Sequence, residues 1–110
     1  MKLPNCDRAI ITQTKLTEYL LNIKHKRGSS KAQLLIQFGY SINNWKRLDA
    51  DIRQSHLTQD VDRIRETQYG VRYEIRAPLS TPVGRLLWVK TVWQIDTDTD
   101  IPRLITLVPD

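Results

Sequence analysis

The spacing of apolar residues changes period once along the chain, near residue 58, and that change restricts the fold more than any other feature. Before it the spacing is helical. Leu16, Tyr19, Leu20 and Ile23 follow an i, i+3, i+4, i+7 pattern, which predicts an amphipathic helix over 15–22 with Thr14 as its cap. Ser30 and Gln33 have the spacing of a capping box and Gly39 can end a turn, so a second helix is expected from 31 to about 38 with Ala32, Leu34, Leu35 and Phe38 on its apolar face. A third, from 43 or 44 to about 54, buries Trp45, Leu48 and Ile52 and exposes Lys46, Arg47, Asp51 and Arg53. After residue 58 the period falls to two: Val71, Tyr73 and Ile75 alternate with Arg72, Glu74 and Arg76, the signature of a half-buried strand. Arg63 and Arg65 flank Ile64 in a preceding strand, 85–95 forms a long one, and 101–108 forms the last, with Pro102 at its start. The segment 77–84, with Pro78, Pro82 and Gly84, reads as a loop and 97–100 as a turn. The expectation is an α+β fold in one domain, 1–110: three N-terminal helices (half 1–57) packed on one face of a four-stranded antiparallel sheet (half 58–110).

Several chemistries find no support. Cys6 is the only cysteine, so neither an intramolecular disulfide nor a cysteine-based zinc cluster can form, and a reducing compartment fits. The first residues lack the apolar stretch of a signal peptide, and runs such as Leu86-Leu87-Trp88-Val89 are too short to span a bilayer, so a cytoplasmic protein without a membrane partner is expected. No metal site or cofactor is expected: the two histidines, His25 and His56, lack ligand spacing, and Asp96, Asp98 and Asp100 resemble part of a calcium loop without its glycine and distal glutamate. Gly28-Ser29-Ser30-Lys31 opens a helix with free amides and a lysine but lacks the preceding strand of a nucleotide P-loop, which leaves a site for a single phosphate.

A net charge of +5, from 17 Lys and Arg against 12 Asp and Glu, favours polyanionic partners. The charge is concentrated at Lys24, Lys26 and Arg27 around His25, where neighbouring cations favour a neutral imidazole able to act as a general base. His56 reads as a charge at a helix C-terminus, without chemistry. In the last strand Arg103 stands out among apolar neighbours; its competing role is an ion pair with one of the turn aspartates. Thr106, three residues on, faces the other side of a regular strand, and a bulge or the twist near Pro102 would bring both to one rim. Trp88 and Trp93, being oddly spaced, face opposite sides of the long strand, one in the core and one exposed; an exposed tryptophan beside Arg and Thr suits stacking on a base, and Trp93 is assigned that role.

These residues carry a resemblance. Lys2-Leu3-Pro4-Asn5, 15–22, His25 with 28–32, Phe38-Gly39-Tyr40, Tyr69-Gly70 through Tyr73, Gly84-Arg85, Trp93-Gln94-Ile95 and 102–106 resemble a small bacterial domain family of unknown function, which occurs alone, often in cyanobacteria, and at the C-termini of phage-related and polymorphic toxin proteins. The layout is also similar to the barnase-like, colicin-like and RelE-like ribonucleases, which cleave RNA without metal through attack by the ribose 2′-hydroxyl. That resemblance implies a toxin of a toxin–antitoxin system, with His25 as the base, Lys31 and Arg103 stabilising charge, Thr106 positioning the phosphate, and Lys24, Lys26, Arg27, Ser30 and Trp93 binding RNA. Lys26-Arg27 departs from the more neutral pair usual in the family. The partners implied are RNA and a small acidic antitoxin encoded by the adjacent gene. The rival expectation is a non-catalytic protein-binding or adaptor module that uses Arg72, Glu74 and Arg76 as an interface.

Overall fold

A computed structural model describes residues 1–26 and 29–110. In chain order, a 3₁₀ turn (Cys6–Arg8) and a π-helix (Lys15–Leu20) precede α1 (Ser29–Gln37), a 3₁₀ turn (Ile42–Asn44) and α2 (Trp45–His56); then follow β1 (Arg63–Thr67), β2 (Gly70–Ser80), β3 (Leu86–Asp96) and β4 (Arg103–Pro109). The strands form one antiparallel sheet in sequence order, β1-β2-β3-β4. The α+β class and the four-stranded antiparallel sheet therefore match expectation, while the helical half differs in detail.

One sheet face is apolar because the period-two pattern puts Tyr73, Ile75, Ala77 and Leu79 of β2 beside Trp93, Thr91, Val89 and Leu87 of β3, all buried. Leu48 and Ile52 on α2, which packs against β2, and Leu16 and Leu20 of the π-helix complete this core. The π-helix touches β4, α1 and α2, so α1 joins the fold largely through it instead of lying in a simple three-helix layer. The other sheet face carries Arg72, Glu74, Arg76, Trp88 and Lys90.

The first predicted helix is where local geometry departs most. Leu21 N–H donates to the Leu16 carbonyl, an i→i+5 bond of 2.8 Å, and the buried stripe is Leu16, Leu20 and Leu21, while Ile23 is exposed. Thr14 makes no cap bond; the Thr12 hydroxyl accepts from Lys15 N–H instead. The 3₁₀ turn before α2 is fixed by a capping box between Ser41 and Asn44. Gly39, at φ 98°, turns the chain after α1 as expected.

Two expectations in the sheet and α2 are corrected. Strand β2 continues through Pro78 to Ser80 where a loop was expected: Ala77 and Leu79 sustain the alternation against Val89 and Leu87, and Pro78 lies past the end of β1, where β2 has become an edge. Asp51, expected on the exposed face of α2, is buried, because Tyr40 Oη donates to its carboxylate at 2.6 Å and Arg47 Nε at 2.8 Å. Arg47 also reaches the Ser80 carbonyl, tying α2 to the end of β2.

The N-terminal segment closes the far edge. Ile10 N–H donates to the Pro102 carbonyl (2.8 Å) and the Ile10 carbonyl accepts from Leu104 N–H (2.9 Å), so residues before the π-helix lie along β4 and deliver that helix to the strand.

Candidate functional site

Where the π-helix, α1 and β4 converge, an open cleft of about 440 Å³ is lined by Lys15, Tyr19, His25, Lys31, Ile105 and Thr106. Each side chain has a local reason to be there. The π-helix rolls the Leu16–Leu20–Leu21 stripe into the core and leaves Lys15 and Tyr19 on its flank, with the Lys15 ammonium 5.2 Å from the Tyr19 ring centre. Lys31 lies on α1. Strand β4 contributes two consecutive residues because it is bulged: the register runs from Trp93↔Leu104 to Val92↔Thr106, leaving Ile105 without a partner on β3.

Three polar atoms meet inside the cleft. Lys31 Nζ donates to Tyr19 Oη at 2.7 Å and to Thr106 Oγ1 at 3.0 Å, and the two oxygens are 3.3 Å apart. The same ammonium is 5.0 Å from the Tyr19 ring centre, and the His25 ring stands edge-on to that ring at 5.0 Å between centroids. Burial alone would push the Tyr19 phenol up; hydrogen bonds from Lys31 and Thr106 and the charges of Lys31 and Lys15 outweigh it and hold the phenol below the ordinary tyrosine value. Lys15 is held below the ordinary lysine value by burial first and then by the positive charges of Arg103 and Lys31, against the opposing pull of Tyr19. The cleft thus offers positive charge for an anion, hydroxyls to orient it, and an imidazole and a phenol to move protons.

Of the residues assigned from sequence, His25, Lys31 and Thr106 share this cleft. Arg103 lies outside its lining and grips Asp96, with Nε 3.0 Å from Oδ2 and Nη2 3.3 Å from Oδ1, the ion pair weighed as its alternative. The bulge does remove the parity difference between Arg103 and Thr106, since they pair with Gln94 and Val92, alternate positions of β3. Ser30 and Lys26 are exposed outside the cleft lining, and Lys24 belongs to a neighbouring groove with Leu21, Ile23, Ile36 and Ile42. Arg27 and Gly28 lie outside the described residues.

Trp93 cannot stack on a base here: it is 0% exposed, and its indole N–H donates to Thr91 Oγ1 at 2.9 Å, whereas Trp88 is the exposed one at 54%. Odd spacing separated the two faces correctly but did not say which was covered. His56 is corrected likewise. It is fully buried, between Thr91 Oγ1 at 2.7 Å and the Ala77 carbonyl at 3.1 Å, and burial pushes its imidazole down to about 4.

Two cleft residues escaped the sequence reading. Tyr19 was counted in the apolar stripe and Lys15 only as a helix start; the available signal was the alternative stripe Leu16, Leu20, Leu21, which leaves Lys15 and Tyr19 together beside it. On the outer sheet face, Arg72 pairs with Gln94, Glu74 with Lys90 and Arg76 with Asp110, so those strand residues are tied to their neighbours. Among the described residues, no helix is long and apolar enough to cross a membrane, and no three His, Cys, Asp or Glu side chains gather to hold a metal.

A family model, Domain of unknown function (DUF6883), matches residues 2–110. The chain belongs to this family. No curated protein matches it. Among solved structures, the chain is similar to one chain of a contact-dependent growth inhibition toxin–immunity protein complex from Klebsiella pneumoniae 342, at 18% identity and a TM-score of 0.69, covering 92% of this chain and 99% of that one. At that identity the likeness is one of fold.

Proposed function

We propose that the DUF6883 chain is a toxin domain that cleaves RNA by attack of a ribose 2′-hydroxyl on the adjacent phosphate, leaving a 2′,3′-cyclic phosphate and a 5′-hydroxyl. The observation that carries this reading is the convergence of Lys15, His25 and Lys31 from the N-terminal half with Thr106, distant from them in sequence, on one open cleft. Its donors are cations, hydroxyls and an imidazole, the set that phosphate binding and proton transfer require. His25 takes the 2′-hydroxyl proton; Lys31 and Lys15 offset the charge that grows on the phosphorane oxygens; Thr106 orients the phosphate. Arg103 contributes from the rim, where its charge already reaches Lys15. The fold shared with a chain of a toxin–immunity protein complex supports the toxin role and a protein partner. We infer that this partner is small and acidic, complementary to the net charge of +5.

The test is incubation of the purified chain with RNA in EDTA, followed by end-group analysis. Cyclic phosphate ends that disappear in the His25→Ala variant are expected. Intact RNA at high enzyme concentration, together with harmless expression of the wild-type chain in a bacterium, would overturn the proposal.

A further inference from the structure

Cleavage by a 2′-hydroxyl moves two protons, one off the nucleophile and one onto the departing 5′-oxygen, because an alkoxide is too basic to leave unprotonated at neutral pH. On the ribonuclease reading, on which this inference rests, His25 accounts for the first proton only. Tyr19 is placed for the second. It lies in the same cleft, its ring meeting the His25 ring edge-on at 5.0 Å, so the two proton-transfer groups stand side by side. Lys31 donates to the phenolic oxygen at 2.7 Å and thereby occupies one of its lone pairs. Among the described residues its other hydrogen-bonding neighbour is Thr106 Oγ1 at 3.3 Å, beyond the usual hydroxyl–hydroxyl distance, so the phenolic proton is weakly committed there and available to a ligand oxygen.

We propose that Tyr19 is the catalytic acid of this cleft, donating its phenolic proton to the 5′-oxygen as the P–O5′ bond breaks. The balance closes without a co-reactant. His25 gains the 2′-hydroxyl proton as the 2′-oxygen bonds to phosphorus, the P–O5′ electron pair goes to the 5′-oxygen, and Tyr19 protonates that oxygen. The resulting phenolate faces the Lys31 ammonium and the Thr106 hydroxyl until solvent exchange returns its proton and removes the one on His25. The depressed Tyr19 pKa agrees with a site built to hold that phenolate.

The experiment compares two substrates: a dinucleotide with an ordinary 5′-nucleoside leaving group, and a ribonucleoside 3′-(4-nitrophenyl phosphate), whose nitrophenolate leaves without a proton. Tyr19→Phe should slow the dinucleotide by roughly 10²–10⁴-fold and the nitrophenyl ester by no more than about tenfold, whereas His25→Ala should slow both. Equal losses on both substrates, or full activity on both, overturn the acid assignment. A wild-type chain that cleaves neither substrate sinks the ribonuclease reading itself. A fluorinated tyrosine at position 19 supplies a readout independent of how well the Phe variant folds: the alkaline limb of the dinucleotide pH–rate profile must move to lower pH, and a stationary limb rejects Tyr19 as the acid.

Discussion

Lys31 donates to two oxygens at once and so assembles the cleft, and on the proposed reading its third N–H is the one offered to a phosphate oxygen. Lys31→Met keeps the length of the stem and removes the charge. We expect kcat/KM on RNA to fall about 10²–10³-fold while the melting temperature stays within about 5 °C of wild type. The same variant reports on Tyr19: without the Lys31 hydrogen bond and charge, two of the influences that lower the phenol are gone and it must titrate at higher pH. Ultraviolet titration, with the Tyr19→Phe spectrum subtracted, checks the direction, and a phenol that does not move would show that Lys31 is not its partner in solution. Arg103 should behave differently. Its exposed pair with Asp96 contributes at most about 1 kcal/mol, so Arg103→Ala should fold normally, and its activity deficit should be smaller than that of Lys31→Met because the guanidinium is engaged outside the cleft lining.

A polar line joins α2 to the sheet, running from the Trp93 indole N–H to the Thr91 hydroxyl, from that hydroxyl to Nδ1 of His56, and from His56 Nε2–H to the Ala77 carbonyl. A carbonyl can only accept, which places the imidazole proton on Nε2 and leaves Nδ1 as an acceptor, so the line is complete only when His56 is neutral. The folded value, about 4, lies below the unfolded one, near 6.5. Stability from this group is therefore fully present above about pH 6.5 and is lost as pH falls toward 4, by about 3 kcal/mol. Urea unfolding at pH 7 and pH 4 should show this fall in the wild type and a smaller one in His56→Gln; equal falls would mean that His56 is not buried neutral. This line also marks how far the sequence is legible at the scale of elements. Helices before strands, Gly39, and the alternation of β2 and β3 are local patterns, and local patterns are visible in a chain. The π-helical turn, the strand through Pro78, the bulge at Ile105 and the choice of Trp93 over Trp88 for the core are decided by what packs opposite, so a reading from the chain alone assigned the first, second and last wrongly and left the bulge open. The cleft was half legible for the same reason: His25, Lys31 and Thr106 stood out by type, while Lys15 and Tyr19 became site residues only because the π-helix turned them out of the core.

At the scale of the molecule, a basic chain presents its cleft where the N-terminal segment clamps the outer edge of β4, with Lys24 and Lys26 exposed on the loop that carries His25. On the ribonuclease reading, a strand of RNA whose scissile phosphate sits at Lys15 and Lys31 has flanking phosphates within reach of that loop, because His25 on the loop lines the same cleft. Binding of single-stranded RNA weakens with salt at a slope of about −0.7 per phosphate neutralised, in log K against log salt concentration. Lys15 and Lys31 acting alone would give a slope of roughly −1.4, and a strand that also runs over Lys24 and Lys26 would give roughly −2.8. We expect the steeper slope, because Lys24 and Lys26 are exposed and flank in sequence the cleft residue His25. The measurement uses an oligonucleotide whose scissile 2′-hydroxyl is replaced by hydrogen, so that binding is read without turnover. Replacing Lys24 and Lys26 together by alanine should flatten the slope toward roughly −1.4 and weaken binding most at low salt. An unchanged slope in that double variant would mean that the strand leaves the cleft away from the loop, and that Lys24, beside the exposed Ile23, Ile36 and Ile42, serves the neighbouring groove instead of RNA.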